Sequence, residues 1–106
     1  MKELQEIRKD IDVIDKKIVD LYKERMKLTS EVASYKIATG KQVLDREREL
    51  SKLKVLETLA DTDFTRHGVR ELFEQIMSTS RKKQYQLLTS CGKIEELGFT
   101  GNQKRH

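Results

Sequence analysis

The chain has 106 residues, 38% charged and 36% hydrophobic, with 22 Lys+Arg against 18 Asp+Glu, no Pro, no Trp and one Cys. That length implies one small domain, and the lack of any run of ~20 apolar residues excludes a membrane span. The lone Cys91 excludes an internal disulfide and a Cys-based zinc site, and scarce β-branched alternation without Pro argues against a sandwich or barrel. The net charge of +4 suits an anionic small molecule and equally weak contact with nucleic acid. No apolar h-region follows Met1, so no secretory signal is expected, and a reducing cytoplasm is the expected compartment.

Residues 3 to about 37 read as one helix, because no Gly or Pro occurs before Gly40. Leu4, Ile7, Ile11, Ile14, Ile18, Leu21, Arg25, Leu28, Val32 and Tyr35 recur at alternating spacings of three and four. That is the seam of a helix packed lengthwise on another. Val19, Tyr22, Met26, Ala33 and Ile37 widen the apolar face. Gly40 fits the stop signal of the helix.

Asp45 fits an N-cap for a second helix of roughly 46–60, with Glu47 and Glu49 in its acidic first turn. The polar stretch Asp61 to Thr65 reads as a turn. A third helix is expected from about Arg66 to Leu88, on the seam Val69, Phe73, Ile76, Ser80, Gln84 and Leu87. Residues 1–88 thus form a helical domain. Residues 89–106, with Gly92, Gly98 and Gly101, read as a mobile tail or linker stub.

The first helix is too long for a monomer of this size. About 35 residues make a rod of roughly 50 Å, whereas a compact chain of this length is about 35 Å across. The rod is apolar along its whole seam, so a second copy must bury the surplus. The expectation is an all-α, three-helix chain in an antiparallel, intertwined homodimer. The alternative is a monomer whose first helix breaks near Leu21–Arg25.

Polar residues interrupt these seams. Arg25 occupies a core position of the first helix, and Ser80 and Gln84 occupy core positions of the third. A buried guanidinium is costly unless it is paired or serves an anion. For Arg25 alone, an interhelical salt bridge is as good an explanation as a ligand. Lys36 lies eleven residues after Arg25, about three turns on, and shares its face. Arg48 and Glu49 lie across the connecting loop. A pocket of Arg25, Lys36, Arg48, Ser80 and Gln84 with Glu49 suits a small dianion carrying a hydroxyl. Arg8 lies 17 residues before Arg25, roughly 25 Å away on the rod. It is either an exposed arginine or a group that completes the site of a partner chain. His67 and His106 sit outside any ligand cluster, so no metal is expected. No Gly-rich phosphate loop or nucleophile–base pair is present.

These residues resemble the all-helical chorismate mutases (AroQ type). The likeness runs through Leu4-x-x-Ile7-Arg8-x-x-Ile11-Asp12-x-x-Asp15, Glu24-Arg25-Met26, and Glu31-Val32-Ala33-x-Tyr35-Lys36. It continues in Val43-Leu44-Asp45-Arg46-Glu47-Arg48-Glu49 and Leu72-Phe73-x-x-Ile76-Met77-x-x-Ser80-x-x-x-Gln84. It covers about residues 4–88 and includes the polar intruders with their spacing. It extends to the mutase domains of bifunctional chorismate mutase/prephenate dehydratases.

The resemblance implies an intertwined homodimer that rearranges chorismate to prephenate in phenylalanine and tyrosine biosynthesis. It implies that Arg25, and Arg8 from the partner chain, bind the two carboxylates with help from Ser80. Lys36 and Gln84 would hydrogen-bond the ether oxygen of the breaking bond. Glu49 and the backbone at Asp45 would hold the ring hydroxyl, and Arg48 would support the charge of the pocket. Of the tandem pairs Arg46-Glu47 and Arg48-Glu49, the second fits the distances from Lys36 and Asp45.

A pericyclic rearrangement needs no cofactor, nucleophile or proton shuttle. It needs a folded conformer held in place and charge stabilised as the C–O bond breaks. Two rival readings remain. An isochorismate-pyruvate lyase on the same fold would have similar pocket charge, but Glu49 as hydroxyl acceptor favours the mutase. A helical dimerisation or RNA-binding module would need its cations on an outer face with interleaved aromatics, which the seam position of Arg25 does not supply. No nucleic-acid or membrane partner is expected.

Overall fold

Without Gly or Pro between Leu4 and Thr39, the chain forms one unbroken helix, α1 (Leu4–Thr39), of 36 residues. It passes through Leu21–Arg25 without a break. The computed structural model describes residues 1–92. At a rise of 1.5 Å per residue α1 is about 54 Å long, which sets the long axis of a molecule measuring 59 × 25 × 23 Å. Gly40 ends it at φ 71°, a left-handed conformation that costs least without a Cβ.

Helix α2 (Arg46–Thr58) starts where Asp45 accepts a hydrogen bond from the Arg48 backbone N–H at 3.1 Å. It stops short of the expected residue 60, where Leu59 and Ala60 turn back onto Leu56 and Glu57. Helix α3 (Asp63–Cys91) departs from expectation at both ends. The polar stretch read as a turn through Thr65 is instead a start signal. Thr62 accepts from the Thr65 N–H at 3.1 Å, and Asp63 in the first turn pairs with Arg66. An acid there is favoured by the helix dipole.

At the other end the helix continues through Thr89 and Ser90, whose hydroxyls donate to the carbonyls of Tyr85 and Gln86. The helix therefore passes Leu88 and ends at Gly92, φ 67°. Of the expected tail, 89–91 belong to α3, and 93–106 lie outside the described residues.

α3 lies between the other two helices, which do not pack on each other among the described residues. Tyr22 meets Thr79, Arg25 meets Ser80, and Ile37 packs near Leu88, so α1 and α3 run in the same direction. Glu49 meets Arg81 and Glu57 meets Arg70, so α2 runs antiparallel to α3.

Where the three helices close up, Val43 and Leu88 are buried, with Ile37 and Tyr85 against them. The deepest residue at this end of α3 is thus Leu88, one position beyond the expected Leu87. On α1 the flanking stripe faces α3: Ala33 is buried, and Met26 and Ile37 are half-buried. The apolar seam residues, from Leu4 through Tyr35, are 41–63% exposed. No helix among the described residues is long and apolar enough to cross a membrane.

Candidate active site

Three helices deliver polar groups to one cavity of about 370 Å³. α1 contributes Arg25, Thr29 and Lys36. The loop and first turns of α2 contribute Val43, Asp45, Arg48, Glu49 and Lys52. α3 contributes Met77, Ser80, Arg81 and Gln84. Five of the lining side chains are cationic and two are carboxylates, so the cavity attracts anions.

Each polar group has a physical reason for its place. Ser80 is buried, and its hydroxyl donates to the Ile76 carbonyl at 2.9 Å. Its oxygen then accepts from Arg25 Nη1 at 2.7 Å. One guanidinium N–H is used and the others remain for a ligand. Thr29, one turn beyond Arg25, is also buried and donates to the Arg25 carbonyl at 3.0 Å.

Lys36 Nζ donates to the Val43 carbonyl at 2.7 Å, tying the end of α1 to the loop before α2. Burial pushes the Lys36 ammonium below the usual lysine range, and the carboxylates of Asp45 and Glu49 partly offset that. An ammonium has three donors, so two are left after the bond to Val43.

Gln84 is buried, and its Oε1 has no hydrogen-bond partner among the described residues. Such a group is costly in a folded chain unless a ligand engages it. Glu49 pairs with Arg81. Tyr85, next to them, has its phenol pushed up by burial, with Arg81 lowering it and Glu49 raising it further.

Seven of the eight residues singled out in the sequence therefore line this cavity: Arg25, Lys36, Asp45, Arg48, Glu49, Ser80 and Gln84. Arg8 does not. It lies on the exposed first half of α1, about 25 Å along the helix from Arg25. Of the tandem pairs, Arg48-Glu49 faces the cavity. Arg46 instead lines a second groove between α2 and α3.

Sequence reasoning missed Thr29, Lys52 and Arg81. Thr29 and Lys52 lie one helical turn after Arg25 and Arg48, a spacing that signals a shared face. Arg81 is one position off its seam, and that spacing gave no signal. Among the described residues no group of His, Cys, Asp and Glu is arranged to hold a metal ion.

The arrangement can bind a small dianion, place an ammonium and a buried amide against a polar atom inside it, and offer a carboxylate to a hydroxyl. It contains no nucleophile–base pair. This chemistry agrees with the chain's relatives. Residues 7–85 match the family model described as chorismate mutase type II. Over 83 residues the chain is 35% identical to a bifunctional chorismate mutase/prephenate dehydratase of Enterobacter agglomerans, a match covering 77% of this chain. The chain spans only 21% of that relative's length. No solved structure matches significantly. Since the family model covers most of the chain, including the whole polar constellation, the chain belongs to the chorismate mutase type II family.

Proposed function

We propose that this domain rearranges chorismate to prephenate, at a site completed by a second copy of the chain. In this Claisen rearrangement the ether C–O bond breaks as a new C–C bond forms, and negative charge develops on the ether oxygen. The two remaining Lys36 donors and the Gln84 Nε2–H donate to that oxygen. Arg25, aimed by Ser80, takes one carboxylate, and Arg8 of the partner chain takes the other. Glu49 and the backbone at Asp45 hold the ring hydroxyl, and Arg48 supports the local charge. Catalysis is by positioning and by fixed charges in a half-dry pocket. No cofactor enters the reaction.

The observation that carries this reading is the convergence of Arg25, Lys36 and Gln84 on one cavity without a nucleophile. The dimer is supported by the exposed seam of α1. It continues into an apolar groove of about 500 Å³ between α1 and α3, lined by Ile18, Leu21, Tyr22, Leu72, Phe73 and Ile76 among others. Exposed apolar surface on this scale marks an interface. An antiparallel partner helix lying in it brings its own Arg8 toward the cavity. We assign residues 4–91 to this unit and a cytoplasmic location to the enzyme.

The test is incubation of the purified, EDTA-treated chain with chorismate and, separately, with isochorismate. Prephenate from the first supports the proposal. Unchanged chorismate with pyruvate released from isochorismate makes the domain a lyase instead.

A further inference from the structure

Arg81 has no role in the reading above, yet it sits at a junction. Its Nη1 donates to Glu49 Oε1 across the α2–α3 interface, with both side chains less than one-third exposed. The pair stands between two hollows. Glu49 and Arg81 line the candidate active-site cavity and also the second groove, where Arg46 and Arg70 lie. Tyr85, beside the pair, interacts electrostatically with both Arg81 and Glu49.

Glu49 has cationic neighbours on its other side. It acts electrostatically on Lys36, and Arg48 and Lys52 line the same cavity. A carboxylate on a flexible stem, left to itself, would turn onto the Lys36 ammonium. It would then occupy the donors that the ether oxygen needs. A carboxylate has two oxygens and about four acceptor sites. Anchoring Oε1 from behind leaves Oε2 for the cavity and lowers the entropy lost when it accepts a ligand's hydroxyl.

We infer that Arg81 is a positioning residue: it holds one oxygen of Glu49 on the α3 side and turns the other toward the ring hydroxyl of the substrate. The inference rests on the reading of Glu49 as the hydroxyl acceptor in a mutase site. It makes Arg81 a determinant of specificity for the hydroxyl, acting through Glu49.

The experiment compares wild type, Arg81→Met and Arg81→Lys on chorismate and on the analogue lacking the ring hydroxyl. Methionine keeps an apolar stem without the charge. Arg81→Met should lower kcat/KM on chorismate by about 10-fold or more, as expected for a weakened hydrogen bond to a charged group. It should change kcat/KM on the analogue by no more than about 3-fold, and Arg81→Lys should fall between. Adding Glu49→Gln to Arg81→Met should cost little more, because the two act as a unit.

Equal losses on both substrates would make Arg81 merely structural and overturn the inference, as would no loss on either. If Arg81→Met fails to fold, Arg81→Lys decides, since an unchanged preference for the hydroxyl in that variant also overturns it. A wild-type chain inert toward chorismate removes the mutase reading and this inference together. An active wild type with an indifferent Arg81 removes the inference alone.

Discussion

Arg25 and Ser80 are 55 positions apart in the chain, yet Nη1 of one donates to Oγ of the other at 2.7 Å. Because the Ser80 hydrogen is committed to the Ile76 carbonyl, the serine is a pure acceptor for the guanidinium. It fixes where the remaining Arg25 donors point. Ser80→Ala should therefore loosen the carboxylate clamp without touching the breaking bond. KM for chorismate should rise about 5- to 10-fold, the net worth of one such bond, with kcat changed less than 3-fold. A fall in kcat alone would mean that Ser80 acts on the transition state.

In the proposed mechanism Lys36 is the group most specific to the transition state. Lys36→Ala should lower kcat by about 10²–10³, as loss of an oxyanion-type donor does, while the helical circular dichroism is retained. The ammonium is the active form. As burial has lowered its pKa, the basic limb of the kcat/KM profile should lie below the usual lysine value of ~10.4, with activity falling as pH rises through it. Glu49 opposes the lowering, so Glu49→Gln should move that limb to still lower pH. A limb that stays in place in Glu49→Gln would detach it from Lys36.

Gln84 opposes function to stability. Its buried, unpartnered Oε1 costs the ligand-free fold about 1–3 kcal/mol. Gln84→Leu, of similar volume, should raise the midpoint of thermal unfolding and lower kcat at the same time. A variant less stable than wild type would mean that the amide oxygen is hydrogen-bonded in the ligand-free protein.

How much of this was legible in the sequence differs between elements. The length of α1 and its stop at Gly40 were readable, since one needs only the absence of breakers and the other the presence of a glycine. The face that α1 turns to its own α3 was not. Its strongest apolar repeat, Leu21, Leu28, Val32 and Tyr35, is exposed, and the weaker Met26, Ala33 and Ile37 pack within the chain. A helix with two apolar faces does not say which partner takes which. The start of α3 was misread because Asp61 to Thr65 has the composition of a turn, and Thr62 uses that composition to cap the helix.

In the site, Arg25, Ser80 and Gln84 announced themselves by interrupting seams. Lys36 was found by sharing a face with Arg25. That it reaches the Val43 carbonyl was not readable, because a backbone acceptor leaves no mark on residue type. Arg81 was invisible for a related reason: an arginine beside a seam resembles any solvated helix charge until Glu49 of another helix is seen against it.

The exposed seam of α1 makes a quantitative demand on assembly. Full burial of one large aliphatic side chain contributes about 1.5–3 kcal/mol, and eight such residues of the seam, Leu4 to Val32, are at least 41% exposed, as is Tyr35. Two chains of 12.4 kDa should therefore sediment together at micromolar concentration, and the unfolding midpoint should rise with protein concentration. Ile14→Glu, in the middle of the overhanging segment, should weaken the dimer and reduce activity together. A folded, fully active monomer would contradict the shared-site architecture.

The most direct test of that site is subunit complementation on chorismate. Arg8→Ala and Arg25→Ala homodimers each lack one carboxylate clamp in both sites and should be nearly inactive. When the two are exchanged into verified heterodimers, one site lacks both arginines. The other combines an intact Arg8 from one chain with an intact Arg25 from its partner. Prephenate formation should then rise toward half the wild-type rate per heterodimer. If heterodimers remain as inactive as their parents while the wild type turns over, the two arginines do not meet across the dimer, and the composite site proposed here is wrong.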